Sequence, residues 1–393
     1  MCSGFPVLIR FGLLFSVLYL AFGVVSPFFP AFLASRGLGP EQIGLILGLS
    51  TMIRMIAGPV AGRVADSLQA LRIVLAGCTA VAGVMALCFG LAHGFLALLI
   101  VSLLHAAMLA PTTLLADALA LSAARSGMAA RAQFEYGWVR GVGSAAFIIG
   151  AVASGQAVNI LGPVMALFLQ AAFLAAAATA ALFVPEVVQR GSQPSRSRGS
   201  EIRLLDLARI TEFRRVVAVA ALVLGSHAMH DSFVMIRWNE IGISSGVGGA
   251  LWSESVAAEV VVFFAFGPLL LRHIRPEAAM AISAMAAVVR WAAMAEMHSI
   301  AAFALIEPLH GLTFALLHLS CMRIIATAVP PTLAATAQAV YGAGIGGMSA
   351  VLTLSSGWLY SRIGAHGFWV MAALAALALP IIWSLSRGRQ SGV

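Results

Sequence analysis

The chain has 393 residues, 61% of them hydrophobic and only 10% charged, with a mean hydropathy of +0.99; soluble domains carry about a quarter charged residues, so water is not its main solvent. The net charge of +8 is built without lysine, because all 23 basic residues are arginines, which excludes a Walker A lysine and a pyridoxal or retinal Schiff base. Those arginines stand singly at the ends of apolar runs and form no basic stripe, which argues against nucleic acid as a partner.

A membrane-crossing helix needs roughly 20 apolar residues, and twelve such segments fit, at 8–34, 41–65, 71–91, 95–122, 134–157, 161–184, 214–238, 248–271, 277–296, 299–325, 333–360 and 365–386. The first carries Arg10 but runs on to Ser35, longer than a signal-peptide core, and is expected to remain as a span. The second holds Arg54 and ends in Gly62-Arg63-Val64-Ala65-Asp66. The fourth holds His105 and Asp117, and the fifth holds Tyr136, Trp138 and Arg140. Residues 1–185 are therefore expected to form an N-terminal six-helix half. Residues 186–213 read as a cytoplasmic linker rich in Gly, Ser, Pro and Arg, with a short polar amphipathic helix from Glu201 to Arg215. Residues 214–393 form the second six-helix half. Its seventh segment carries His227, His230 and Asp231, the eighth Glu254 and Glu259, the ninth Arg290, and the tenth Glu307, His310 and His318.

With both termini cytoplasmic, the inner ends and loops carry seventeen arginines, from Arg10 to Arg389, against Arg36, Arg237 and Arg362 outside. That positive-inside bias sets the orientation and suits an even helix count. Gly58-Pro59 with Arg63 recurs as Gly267-Pro268 with Arg272, an offset of 209 residues, which points to parallel repeats of a transporter kind. Small-residue steps such as Gly44/Gly48, Gly137/Gly141 and Gly342/Gly346 allow close helix packing. Cys2, Cys78, Cys88 and Cys321 show no pairing or metal-ligand spacing, and nothing calls for a metal or a cofactor.

Arg54, Arg140 and Arg290 lie within apolar spans, where an ionised group costs at least about 2.5–3.5 kcal/mol, so each calls for a partner or a wet cavity. In the first half Arg54 and Arg140 face Asp117 alone; in the second, Arg290 faces Asp231, Glu254, Glu259 and Glu307. The first half is thus suited to an anion. The second holds surplus carboxylates that can load and release protons. Helical spacing puts His227 with Asp231, Glu307 with His310, and Tyr136 with Arg140 on shared faces. The bland alternative is a set of interhelical ion pairs that only hold the bundle together.

The stretch Asp117-Ala118-Leu119-Ala120 followed by Tyr136-Gly137-Trp138-Val139-Arg140-Gly141-Val142-Gly143-Ser144 resembles the major facilitator superfamily, closest to its phenylpropionate permease group. Val288-Val289-Arg290-Trp291, Leu309-His310 and Ala258-Glu259-Val260 fit the same group. More distantly the chain resembles lactose permease and the nucleoside–proton symporters. The resemblance implies the superfamily fold, an all-α membrane protein with twelve transmembrane helices in two pseudo-symmetric six-helix halves. It implies that Arg140 and Asp117 contact solute, that Arg290 and His310 belong to a coupling network, and that Gly62 and Asp66 are the remnant of a gating loop. Thr313 stands where lactose permease has its proton-carrying glutamate, and Glu307 where a lysine is expected, so the proton site shifts to Glu259, Glu307 or Asp231.

Two further patterns carry less. Gly242-Ile243-Ser244-Ser245-Gly246 has the G-x-S-x-G form without a strand-turn-helix setting, and Met229 and Met235 beside His227 and His230 could suit a soft metal but have the spacing of packing. The expected function is proton-coupled uptake of a small organic or aromatic carboxylate, such as a phenylpropionate-like acid, across a bacterial inner membrane by a monomer, not an enzymatic reaction. Arg140, Asp117, Arg54, Tyr136, Trp138 and His310 are the expected solute contacts; Glu259, Glu307, Asp231, Arg290, His227 and His230 the coupling groups. Lipid, protons and the solute are the expected partners. The rivals are an exporter or proton antiporter on the same fold, a nucleoside or sugar symporter, and a receptor or scaffold that moves nothing.

Overall fold

The computed structural model describes residues 7–125, 135–185 and 206–390. Most of the linker and the start of its expected amphipathic helix lie outside them. Eleven described segments are long and apolar enough to cross a membrane; the last, Pro331–Arg387, spans 57 residues and contains two helices. The helices are α1 (Val7–Val25, continued by Phe29–Ser35), α2 (Pro40–Leu68), α3 (Leu71–Leu91), α4 (Phe95–Arg125), α5 (Tyr136–Leu161) and α6 (Val164–Phe183). They are followed by α7 (Thr211–Glu240), α8 (Ser245–His273), α9 (Pro276–Glu296), α10 (Ile300–Ala328), α11 (Ala334–Ile363) and α12 (Phe368–Gln390). Ser244, the serine of the hydrolase-like pattern, sits in the α7–α8 turn and its Oγ accepts from Val247 N at 3.4 Å, capping α8.

The helices gather into two compact units, Met1–Ser192 with Trp238–Ser253, and Gln193–Arg237 with Glu254–Val393. In the first, α1 and α5 cross so closely that a Cβ on Gly23 would lie 2.2 Å from the Phe147 carbonyl oxygen. Ser154 Oγ donates to Val24 O at 2.7 Å beside that crossing. The start of α8 packs on α5 in the same way: a Cβ on Gly249 would meet Ala151 O at 2.8 Å, and Ser253 Oγ donates to Ile148 O at 3.3 Å. In the second unit a Cβ on Gly225 would touch the Met348 side chain at 2.7 Å, and one on Gly344 the Val217 side chain at 2.8 Å, where α7 meets α11.

Helix bounds repeat along the chain. Pro40 and Ser245, Leu68 and His273, Leu71 and Pro276, and Leu91 and Glu296 each stand 205 residues apart. The Gly-Pro motif seen at 209 therefore falls one helical turn further along α8 than its counterpart along α2.

Hydrogen bonds repeat as well. Arg10 donates to Phe183 O at 3.3 Å at the end of α6, and Arg215 donates to Ser384 O at 3.1 Å in the last turns of α12. Arg36 donates to Phe89 O and Gly90 O at 3.3 and 3.0 Å at the end of α3, and Arg237 to Met297 O at 2.7 Å just past α9. Arg72 and Arg323 do the same for Leu182 O and Leu271 O. The last carbonyls of a helix lack intrahelical donors and carry partial negative charge, and a guanidinium supplies several donors and a positive charge at once. This gives part of the arginine bias a structural role beyond orientation. Arg237, expected in an outer loop, is instead only 2% exposed; its capping bond pulls it into the bundle.

Candidate functional site

In the second unit, α7, α8, α9 and α10 bring ionisable groups into one hydrogen-bonded chain. Arg290 of α9 is its hub, fully buried: Nη2 donates to Glu307 Oε2 at 2.7 Å, and Nη1 donates to His310 Nδ1 at 2.9 Å. Because His310 Nδ1 accepts from a group that cannot give up its proton, its hydrogen sits on Nε2, which faces Glu259 Oε2 at 3.3 Å. On the other side, Glu307 Oε1 meets His230 Nε2 at 3.0 Å, and His230 Nδ1 meets Asp231 Oδ1 at 3.3 Å. A neutral imidazole can donate to only one of those two carboxylates; a second proton completes both bonds. The middle of the chain is buried, with Arg290 and Glu307 side chains at 0% exposure, while its ends open outward, Glu259 at 28% and Asp231 at 58%.

Local backbone irregularity puts these groups in place. Pro308 has no N–H to continue the helical ladder, and α10 becomes a 3-10 turn at Glu307–Leu309 and then a π-helical turn at Gly311–Leu316. Residues three apart eclipse in a 3-10 turn, so Glu307 and His310 point the same way, toward Arg290. Gly311 lets α10 meet α8, where a Cβ would lie 2.6 Å from Ala258 O, and this seats Glu259 beside His310. Trp291 walls the chain: Arg290 stacks over its ring at 4.7 Å, His227 meets it edge-on at 5.0 Å, and its Nε1 donates to Ser226 Oγ at 2.8 Å.

His227, paired with Asp231 by spacing alone, turns instead to Thr313 Oγ1 at 2.9 Å and the Val223 carbonyl at 3.1 Å. Asp231 is taken by His230. His310, placed among the solute contacts by sequence, stands in the coupling chain. His318 stacks on Phe263 and lies 3.3 Å from the Tyr341 hydroxyl.

The first unit holds a smaller cluster. Tyr136 OH donates to Asp117 Oδ1 at 2.7 Å, and Arg140 lies over the ring of Tyr19 at 4.9 Å. Tyr19 stacks on Phe15, which meets Tyr136 edge-on. Gly143, three residues after Arg140 as Gly137 is three before it, makes room for Tyr19, since a Cβ there would sit 3.0 Å from its ring. Trp138 faces the other way: 69% exposed, it lines an apolar groove with Leu8, Leu13 and Val142. Arg54 is exposed on α2, and Gly62 and the exposed Asp66 occupy the last turns of that helix. Tyr19, Gly311 and the bond of Thr313 to His227 were missed by sequence reasoning. Tyr19 looks like an ordinary residue of an apolar helix and Thr313 stood out only as a departure from lactose permease, while Gly311, next to a histidine, was the one readable signal of close approach.

Comparison with known proteins agrees with this architecture. Residues 8–371 match the MFS_1 like family. The chain is 33% identical over 370 residues to a probable 3-phenylpropionic acid transporter of Escherichia coli (strain K12), covering 92% of this chain and 93% of the relative. Its fold is similar to the crystal structure of the nucleoside transporter NupG, with a TM-score of 0.81 at 16% identity over 98% of this chain and 99% of that one. It is similar also to a bacterial homologue of the lysosomal transporter Spinster, with a TM-score of 0.72 at 14% identity over 97% and 96%.

Proposed function

The chain belongs to the MFS_1 like family of membrane transporters, not enzymes, and on that premise we propose that it imports a small aromatic carboxylate of the 3-phenylpropionate type together with protons. It works as a monomer in the bacterial inner membrane, both termini cytoplasmic, with halves 1–185 and 214–393 joined by the linker 186–213. The 33% identical relative, a probable 3-phenylpropionic acid transporter, supports the solute class. The cations of the first unit, Arg140 and Arg54, attract the carboxylate. Asp117 and Tyr136 order Arg140's surroundings, and the half-buried Tyr19, backed by the buried Phe15, offers an aromatic edge to the solute's ring.

The observation that carries proton coupling is the chain Glu259, His310, Arg290, Glu307, His230 and Asp231, buried in its middle and exposed at both ends. Arg290 does not pass protons, because a guanidinium stays charged. It joins two acid–histidine pairs instead. A proton taken by Glu307 weakens its hold on Arg290, whose charge then leans on the Glu259–His310 side, so loading at one pair changes the affinity of the other. Gly62 and Asp66 belong to a gating turn that responds to this change.

Uptake of labelled 3-phenylpropionate by proteoliposomes with an imposed pH gradient, acid outside, tests the reading. Accumulation above equilibrium, abolished by a protonophore and reduced at least tenfold by Arg140→Gln, is expected. Uptake of 3-phenylpropionate that ignores the gradient would remove proton coupling, and unchanged uptake in Arg140→Gln would remove that residue from the solute site.

A further inference from the structure

The 205-residue repeat sets three polar positions of the first unit against three of the second unit's chain. Arg54 corresponds to Glu259, Ser102 to Glu307 and His105 to His310, while the position of Arg290 is taken by Met85. The acid facing the histidine in the second unit is thus an arginine in the first, and the central cation is gone. The site has kept its frame and reversed its sign.

Its side chains are short of partners. His105, 5% exposed, meets Phe89 edge-on at 5.6 Å, with Gln170 of α6 beside it and the Arg54 charge within electrostatic reach. The Gln170 amide is within bonding reach of the His105 ring, but His105 Nε2, both amide atoms of Gln170 and the hydroxyls of Ser50 and Ser102 complete no well-formed hydrogen bond with a described residue. Ser50 and Arg54 lie one turn apart on α2, as do Ser102 and His105 on α4, so register gathers these atoms where α2 and α4 pack. Buried polar groups in a membrane bundle are normally paired, because lipid supplies no substitute for water.

Charge points the same way. The spans of the first unit hold Arg54 and Arg140 at depth against Asp117 alone. Arg140 shares its cluster with Asp117, whereas Arg54, exposed on its helix, forms no hydrogen bond or ion pair with a described residue. Among the described residues Arg54 therefore lacks a fixed counter-charge, and a guanidinium with imidazole, carboxamide and hydroxyl neighbours matches the two oxygens of a carboxylate. We propose that Arg54, His105 and Gln170 form a carboxylate-binding subsite of the first unit, distinct from the Asp117–Tyr136–Arg140 cluster. It deepens the proposed function, since it rests on the solute being an organic acid.

The test uses purified full-length chain, with 3-phenylpropionate and its neutral amide as probes, read by thermal stabilisation in detergent and by uptake in proteoliposomes. The wild type is expected to be stabilised more by the acid than by the amide. Arg54→Gln should erase that preference and raise KM for the acid at least tenfold, leaving stabilisation by the amide as it was. Arg54→Lys, which keeps the charge, should stay within a few-fold of wild type, and His105→Gln should raise KM severalfold. An Arg54→Gln chain that keeps the preference and KM of wild type overturns the subsite and leaves the carboxylate reading standing. Loss of the preference in Arg54→Lys to the same extent as in Arg54→Gln also overturns it, since charge would not be what counts. A wild type that neither binds nor takes up 3-phenylpropionate or related aromatic acids overturns both.

Discussion

The two units share a skeleton and differ in what they bury. Arg10 and Arg36 cap helix ends in the first unit as Arg215 and Arg237 do in the second, so the scaffold follows the repeat. The interior does not. Around Arg290, Glu259, His310, Glu307, His230 and Asp231 engage one another in an unbroken chain, whereas the first unit keeps Tyr136 with Asp117 apart from Arg54 with His105. An interlocked set resists loss of any member and redistributes charge when one proton arrives. A set of separate groups is free to meet something from outside.

That contrast predicts unequal responses to removing one carboxylate. Glu307→Gln leaves the Arg290 charge buried without its counter-charge, which costs about 3–5 kcal/mol. Asp117→Asn, at a partly exposed acid whose Tyr136 bond an amide oxygen can still accept, should cost about 1 kcal/mol or less. The double change Arg290→Met with Glu307→Leu should recover most of the stability lost in Glu307→Gln, since a packed apolar pair replaces a buried ionic one at little cost, while uptake stays absent. Unfolding temperatures in detergent and uptake of 3-phenylpropionate check this. Equal losses in Glu307→Gln and Asp117→Asn would erase the distinction between the units.

The helix crossings offer a second, smaller contrast. A Cβ on Gly23 meets a backbone carbonyl oxygen at 2.2 Å, and one on Gly225 meets the flexible side chain of Met348 at 2.7 Å. Backbone cannot give way without moving α1 from α5, but a methionine can change rotamer. Gly23→Ala should therefore cost about 3 kcal/mol, at the upper end for overpacking, and Gly225→Ala about 1 kcal/mol. Thermal unfolding of the two variants side by side measures the difference, and a larger loss in Gly225→Ala would show that the α7–α11 crossing is the tighter one.

Much of the architecture was legible because a bilayer dictates length and hydropathy, and the apolar segments matched α1 to α12 within a few residues. The buried ionisable groups were legible for the same reason: a charge amid lipid-length apolar sequence stands out. Their partners were harder to read. His227 with Asp231 followed from an ideal helix, but the rings turn toward other helices, and Glu307 with His310 point together because Pro308 breaks the regular ladder. Trp138 and Arg140 are two residues apart and diverge by about 200° on a helix, which is why one lines an outer groove and the other the Tyr19 cluster. Ser102 and His105 gained meaning only when helix bounds set the repeat at 205 residues instead of the 209 of the Gly-Pro motif.

The mildest contrast lies at the turn after the gating residues. Gln69 ends α2 with φ 49° and ψ 40°, the left-handed conformation, whereas its counterpart Ile274 ends α8 extended, at φ −118°. A side chain in the left-handed region costs roughly 1–2 kcal/mol that glycine avoids. Gln69 is exposed and its side chain contributes little packing, so Gln69→Gly should stabilise the chain by about 1 kcal/mol after the added freedom of the unfolded state is set against it. Ile274→Gly, where no strain is relieved and a half-buried side chain packed on the local core is lost, should cost about 1–2 kcal/mol. Chemical unfolding in detergent reads both. A stabilised Gln69→Gly chain with slower uptake would further mean that the strained turn beside Gly62 and Asp66 is kept because movement there serves transport, a demand that the α8 turn does not share.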